Sequence, residues 1–392
     1  MSEPAADIFL QKPQVFHKKR ILVAGDIALD RTFLCDPAPA GRHAVHAGES
    51  IVDVRPRGDD FGTIGAAYNA ILLATALGAE SMLATVTGDD PEGDRVADLL
   101  TAERTAARQV RLQGVQTVTR LRFFVNDEAT GRLRLLLRVD KDPDCAVSYA
   151  RAEAEVCTPD FLDWWEQEAE RSDAVLFSDT GKGFLSRRIL VALNERTLRA
   201  SDRRVAGGAA PIVVVVDPKR EWEKYFGLKV DVFKPNAVEA AAAVGLPLQD
   251  WSDDGNLLML GVRIAGRYGI YFPTMVITLG ENGAALVAVT EGRARLVRFP
   301  ALPAAISATG IAMHCGDLFA SALALSLCVD HAAATAIPFA NYVGSLQVNR
   351  PVGQKVAASD LYDPRNLAHF QESAHPPQQL GEWLESSKNP AF

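Results

Sequence analysis

Ile212-Val213-Val214-Val215-Val216 is the stretch that decides the fold. Five β-branched residues in a row, closed by Asp217-Pro218-Lys219, read as a strand buried on both faces, as parallel strands are. Similar short apolar runs lie outward from it at 21–24, 81–86, 174–177, 230–233 and 275–278. Between most of them stand segments with helical character, at 66–78, 93–100, 158–171, 185–199, 236–244 and 255–267. Buried strands alternating with helices predict an α/β fold with a mainly parallel sheet.

Two stretches break this alternation. Residues 31–62 are polar and rich in Gly and Pro, with a short β-like piece at Ser50–Val54. Residues 115–140 alternate apolar and polar around a turn at Asp127–Gly131, the pattern of a hairpin with one exposed face. Together they predict a small β-sheet beside the main domain. Arg120, Arg122, Arg132, Arg134 and Arg138 on it are either solvated edge charges or ligands for a phosphorylated substrate. Residues 1–19 read as an N-terminal arm, 20–364 as the main domain and 365–392 as a C-terminal tail.

The 392 residues are 48% apolar and 23% charged, a balance that supports a sizeable core. With 41 Lys and Arg against 49 Asp and Glu the formal charge is −8, which supplies no global basic field for nucleic acid or anionic membrane. Five scattered cysteines without a CxxC pair suggest neither a disulfide framework nor a zinc site. No apolar run approaches the roughly 18 residues of a membrane span, and the run after Arg20 is too short for a signal peptide. These features predict a soluble, cytoplasmic protein without nucleic-acid or membrane partners.

Walker, dinucleotide-binding, zinc-protease and serine-hydrolase motifs are all missing. Three constellations carry chemistry instead. Cys315-Gly316-Asp317 precedes an Ala/Leu-rich stretch, so Asp317 stands at a helix start, where backbone amides stabilise an anion and a carboxylate accepts a proton. The alternative is an ordinary N-cap. Asp26 and Asp30 follow the first strand, where open α/β sheets bind ligands, or else Asp26 caps a turn. Asn236 and Glu239 follow another strand, placed to hold a Mg²⁺-bound water or to close a capping box.

The order of these pieces resembles the ribokinase-like, or PfkB, family of carbohydrate kinases. The resemblance runs from about Arg20 to about Pro364. It rests on Val23–Asp30 (VAGDIALD), Gly65–Ala70 (GAAYNA), Thr87–Gly93 (TGDDPEG) and Ser178–Gly183 (SDTGKG). Asp217–Lys219 (DPK), Lys234–Asn236 with Glu239, Thr278–Ala284 (TLGENGA) and Cys315–Asp317 follow in family order. Thr119–Arg122 (TRLR), Leu136–Asp140 (LLRVD), SDTGKG, and DPK followed by Arg220–Phe226 are most similar to the bacterial heptose 7-phosphate kinases.

The resemblance implies a three-layer α/β/α ribokinase-like domain with a small β-sheet lid, a homodimer through that lid, and use of ATP and Mg²⁺. The implied reaction moves the γ-phosphate to a hydroxyl of a sugar or sugar phosphate, heptose 7-phosphate favoured. A kinase for another sugar or nucleoside, or a catalytically weak binding relative, is the alternative. By resemblance Asp317 is the base, and Cys315, Gly316 and Gly310 belong to the anion hole. Thr278, Gly280, Gly283 and Asn341 lie at the nucleotide. Asp26, Asp30, Gly65 and Asn69 bind sugar hydroxyls, while Arg120, Arg138, Lys182 and Lys219 await a phosphate on the sugar. Asn236 and Glu239 hold the metal through water.

Two places depart from the family pattern. Ile64-Gly65 replaces paired glycines, which predicts a reshaped sugar site. Four residues, Ile311 to His314, separate Thr309-Gly310 from Cys315-Gly316-Asp317. Read without a gap, His314 takes the place of the first anion-hole glycine.

Overall fold

The computed structural model describes residues 13–37, 54–58, 60–127, 132–247, 250–268, 274–290, 293–301, 314–330, 332–350 and 354–373. In chain order the elements begin β1 (Arg20–Gly25), β2 (Ile27–Pro37), β3 (Val54–Pro56), β4 (Phe61–Ala66) and α1 (Tyr68–Ala76). Next come β5 (Glu80–Gly88), α2 (Pro91–Ala102), β6 (Ala107–Leu112), β7 (Thr119–Asp127) and β8 (Arg132–Lys141). The middle of the chain forms α3 (Cys145–Val156), α4 (Pro159–Glu170), β9 (Ala174–Ser178), α5 (Arg187–Ala206), β10 (Val213–Asp217), β11 (Val232–Phe233), α6 (Ala237–Ala243) and α7 (Asp254–Tyr268). It closes with β12 (Thr274–Thr278), β13 (Ala284–Thr290), β14 (Arg293–Phe299), α8 (Cys315–Asp330), α9 (Ala333–Val348), α10 (Ala358–Leu361) and α11 (Pro364–Ser373).

Nine strands make the main sheet in the order β14-β13-β12-β11-β10-β9-β1-β5-β6. Pairing is parallel from β12 to β6, and β13 and β14 add an antiparallel edge. Because side chains alternate across a strand, each β-branched run feeds two cores. Ile21, Val23, Leu176, Val213 and Val215 pack beneath α1, α8 and α9. Leu22, Ala24, Phe177, Val214 and Val216 pack toward α4 and α5. The result is the expected three-layer arrangement.

The predicted side sheet is present, with order β3-β2-β7-β8 and β4 paired to β2. β7 and β8 form the expected hairpin, paired from Thr119 opposite Lys141 to Asp127 opposite Arg132, with a register shift between Phe123 and Phe124 that leaves Leu136 as the extra residue. Residues 128–131 of its turn lie outside the described residues, as do 50–53 of the β-like piece before β3. β1 ends in the main sheet at Gly25 and β2 begins in the side sheet at Ile27, so Asp26 alone marks the crossing.

Both ends of the main domain extend beyond their expected boundaries. Phe16, read as part of the arm, is fully buried and stacks on Phe339 of α9 at 5.6 Å. Phe370, read as tail, is buried in α11 with its ring 4.9 Å from Tyr342. In each case one aromatic ring anchors a polar segment, a signal that composition averages away. Residues 1–12 and 374–392 lie outside the described residues.

Candidate active site

The carboxyl ends of the parallel strands converge on a cavity of about 480 Å³. Asp179, Asp217, Lys234, Asn236 and Thr278 reach it from the main sheet, while Arg120, Arg122, Arg138 and Asp140 reach it from the side sheet. The start of α8 contributes His314, Cys315, Gly316 and Asp317. Helix-initial amides have no intrahelical acceptor, so this end favours an anion. A Cβ on Gly316 would meet nothing within 4 Å, which leaves the backbone open to the cavity.

Asp317 is the third residue of α8 and does not act as the N-cap; the carbonyl of His314 accepts from the Leu318 amide at 3.1 Å. The Asp317 carboxylate accepts from the Asn69 amide group at 2.6 Å and lies 3.7 Å from His314 Nδ1. Burial pushes this carboxyl up, but His314 in its charged, donating form, the Asn69 bond and the Lys355 ammonium outweigh it and hold it below the usual value. The Asn69 bond and the Lys355 ammonium act whether or not the ring is charged, and favour the ionised form that a proton acceptor needs.

Asp30 is buried and paired with Arg122 at 2.7 Å, while its Oδ2 has no hydrogen-bond partner. Asn69 Oδ1 is likewise buried without a partner. Neither Asp30 nor Asn69 lines the cavity; the two orphaned acceptors lie behind its wall, beside Asp317, which does line it. Gly65 makes room for them, since a Cβ there would sit 2.2 Å from Asp30 Oδ2.

The basic rim is largely engaged. Arg138 holds Asp140 through two bonds of 2.8 and 2.7 Å, Lys182 pairs with Asp142, and Lys219 pairs with Glu239. Arg120 lines the cavity without an ion pair among the described residues, and its Nε is buried and unpartnered. It is the cation best placed for an incoming anion.

On the opposite wall Asn236 and Glu239 do form a capping box: Asn236 Oδ1 accepts from the Glu239 amide at 2.8 Å and Glu239 Oε2 from the Asn236 amide at 3.0 Å. Their remaining reach toward a metal is through water. Asp217 stands beside them, pushed up to about 7 by burial; Lys234 at 2.9 Å opposes the shift, and Glu239 and Asp317 add to it. Such crowded negative charge fits a divalent cation. Among the described residues no three His, Cys, Asp or Glu side chains form a group that could hold a metal ion directly.

The sequence profile of the "pfkB family carbohydrate kinase" matches residues 49–358. The chain belongs to this family. Among curated relatives it is 30% identical over 341 residues to the "Bifunctional protein HldE" of Aeromonas hydrophila, covering 86% of this chain and 61% of that protein. The HldE of Chromohalobacter salexigens is 29% identical over 350 residues, 89% of this chain and 64% of that one. The chain thus spans less than two thirds of these relatives' length. The fold is similar to phosphofructokinase-2 from Escherichia coli in complex with potassium (TM-score 0.63, 15% identity, 90% of this chain, 99% of that one). It is also similar to Arabidopsis thaliana ribokinase complexed with ribose and ATP (TM-score 0.60, 16% identity, 90% and 99%).

Against the PfkB expectations several placements differ, and Asp30, Gly65 and Asn69 lie behind the cavity wall and do not line it. Asp26 does not face the cavity: its oxygens accept from the Thr180 amide and hydroxyl and from the Lys182 and Phe184 amides, at 3.0 to 3.2 Å. It clasps the 179–184 loop. Asn341 is buried with its amide group donating to the carbonyls of Phe299 and Pro300, both at 3.2 Å, and does not line the cavity. Ile64 points into the core and leaves the sugar side unobstructed; the left-handed residue is Ala66, at φ +58°. Gly280 and Gly283 shape the β12–β13 turn, both at positive φ, without lining the cavity, whereas Thr278 does line it. Gly310 lies outside the described residues.

Read from sequence, Asp179, Asp217 and Lys234 carry no assigned role, although all three sit inside the motifs SDTGKG, DPK and Lys234–Asn236. Nothing in the sequence signalled Lys355. Its Nζ is buried with no hydrogen-bond partner, and burial lowers its pKa to about 8, opposed by Asp30 and Asp317.

Proposed function

We propose that the protein transfers the γ-phosphate of ATP to a hydroxyl of a phosphorylated sugar, heptose 7-phosphate being the favoured acceptor. The observation that carries this reading is the pairing of two orphaned buried acceptors, Asp30 Oδ2 and Asn69 Oδ1, with the ionised Asp317. A polyol in the cavity would bring one O–H to the base, with further hydroxyls directed at the two acceptors behind the wall. Asp317 takes that proton as the oxygen attacks, and the first-turn amides of α8 face the charge on the moving phosphoryl group. Asn236 and Glu239 would hold Mg²⁺ through water, and the ion would supply neutralising charge at the phosphate oxygens. The likeness to HldE proteins supports a heptose phosphate as acceptor.

The test is Mg·ATP turnover against a panel of sugars and sugar phosphates, heptose 7-phosphate included. Acceptor-dependent ADP release, strongest with phosphorylated acceptors, is expected. Arg120→Ala should raise KM for a sugar phosphate by about 10- to 100-fold, the scale of a charge-assisted contact, with little change for the unphosphorylated sugar. Equal losses on both would remove Arg120 as the phosphate ligand.

The same reading includes a homodimer through the side sheet. Leu137 and Val139 lie on one face of the hairpin strand β8, opposite Phe123 and Leu121, and are 52% and 39% exposed. An apolar stripe of this kind on an edge strand is a ready pairing surface. Sedimentation should show a dimer that Leu137→Asp converts to monomer; an unchanged dimer would place the interface elsewhere.

A further inference from the structure

His314 is the family-divergent residue of the cavity, and its geometry is specific. Its backbone adopts φ +65°, a region non-glycine residues mostly avoid. The side chain, 11% exposed, lies with Nδ1 3.1 Å from Asn69 Nδ2 and Nε2 3.8 Å from Asp30 Oδ2. The Asn69 amide is oriented by Asp317, because a carboxylate oxygen at 2.6 Å requires a donor. Its second hydrogen is left for His314 Nδ1. A donor there needs a bare nitrogen, so the neutral ring carries its proton on Nε2, toward the orphaned Asp30 Oδ2.

We infer that His314 is a positioning residue for phosphoryl transfer: its neutral Nε2–H form fixes the Asn69 amide against Asp317, and its protonated form withdraws Asp317 from the reaction. The second half follows from the same contacts. A protonated Nδ1 cannot accept from Asn69, and Asp317 Oδ2 at 3.7 Å is the nearby acceptor to which it turns. The proton occupies the lone pair that the substrate hydroxyl needs. The charges around the ring are Asp30 on β2, Arg120 and Arg122 on β7, Asp317 on α8, and Lys355 from the segment before α10. The catalytic half of this inference rests on the kinase reading; the tautomer does not.

Two measurements test it. Long-range ¹H–¹⁵N correlation spectra at pH 8, with His314 assigned by the signals lost in His314→Gln, should show the Nε2–H tautomer. Asn69→Ala should shift the Nδ1 resonance, as that nitrogen loses its donor. In kinetics, wild-type kcat should fall on an acid limb, approaching about tenfold per pH unit once the ring is protonated. His314→Gln supplies a carbonyl acceptor that does not titrate; it should keep kcat within about threefold at pH 8 and lose the limb. His314→Gly, suited to φ +65°, should also lose the limb, with kcat at pH 8 down about tenfold. An Nδ1–H ring, or an acid limb that survives in both variants, overturns the inference. Turnover with no acceptor at all would instead sink the kinase reading, and the tautomer and its response to Asn69→Ala would still decide whether the ring holds this pair.

Discussion

Asp317→Asn is expected to lower kcat by about 10³-fold, within the range that general-base groups contribute. The amide has the carboxylate's shape, and its oxygen still accepts from Asn69, so the fold and the cavity survive. What it loses is the lone pair that takes the acceptor's proton. ATP should therefore still raise the melting temperature of the variant by mass action, while ADP release collapses. The wild-type carboxyl is held below its ordinary value. Its stabilising contribution is thus present above the usual carboxylate range and lost as pH falls through the lowered pKa; the variant should lack that acid-side dependence. A kcat within tenfold of wild type would remove Asp317 as the base.

Lys355 shows how the same charges set stability against function. Burial lowers its pKa to about 8, so the folded state holds this proton less tightly than the unfolded chain. The sign is that stability rises with pH between about 8 and the ordinary lysine value. Lys355→Met should accordingly stabilise the fold at pH 7, by on the order of 1–2 kcal/mol, and slow turnover by removing a positive charge near Asp317. Urea unfolding at pH 7 checks the first half; a destabilised variant would show that the ammonium is better paired than its buried, unpartnered Nζ indicates.

Where local pattern matched the buried environment, the fold was legible. β1, β5, β9, β10 and β12 are apolar on both faces and announce themselves. β6 (ARQVRL) is half-exposed and mixes charge with β-branched residues, so it carries no such run. α9 is apolar nearly all round, which leaves no helical period to detect. The site was legible as an ordered set of motifs but not as geometry. Asn69 and Asp317 are 248 residues apart and meet only because α1 and α8 pack on one face of the sheet. Asp26 stayed open between ligand and turn cap for a physical reason: its donors are mainly backbone amides of a loop, which any side chains would supply. His314 depends on a backbone angle that no residue type encodes.

Lys224→Met should destabilise the protein by about 3–5 kcal/mol, the cost of stranding a buried charge. Lys224 and Asp179 are 5% and 1% exposed and pair at 2.5 Å. Tyr225 donates to the same carboxylate at 2.5 Å, and the other oxygen of Asp179 accepts from the Gly181 amide at 2.7 Å. With Asp26 on its other side, this network fixes the 179–184 loop and hence Thr180 and Lys182 at the cavity rim. Burial raises the Asp179 carboxyl even against Lys224; without the ammonium it rises further. A raised carboxyl costs stability once pH exceeds its unfolded value and recovers as the folded state takes up the proton. The penalty should thus be largest near pH 8 and shrink on acidification. Lys224→Met with Asp179→Asn should regain at least half of the loss, because a neutral amide needs no counter-charge and still accepts from Gly181. Denaturant midpoints at pH 5 and 8 measure both effects. A single variant within 1 kcal/mol of wild type at pH 8, or a double variant no better than the single, would show that the loop is held by Asp26 alone.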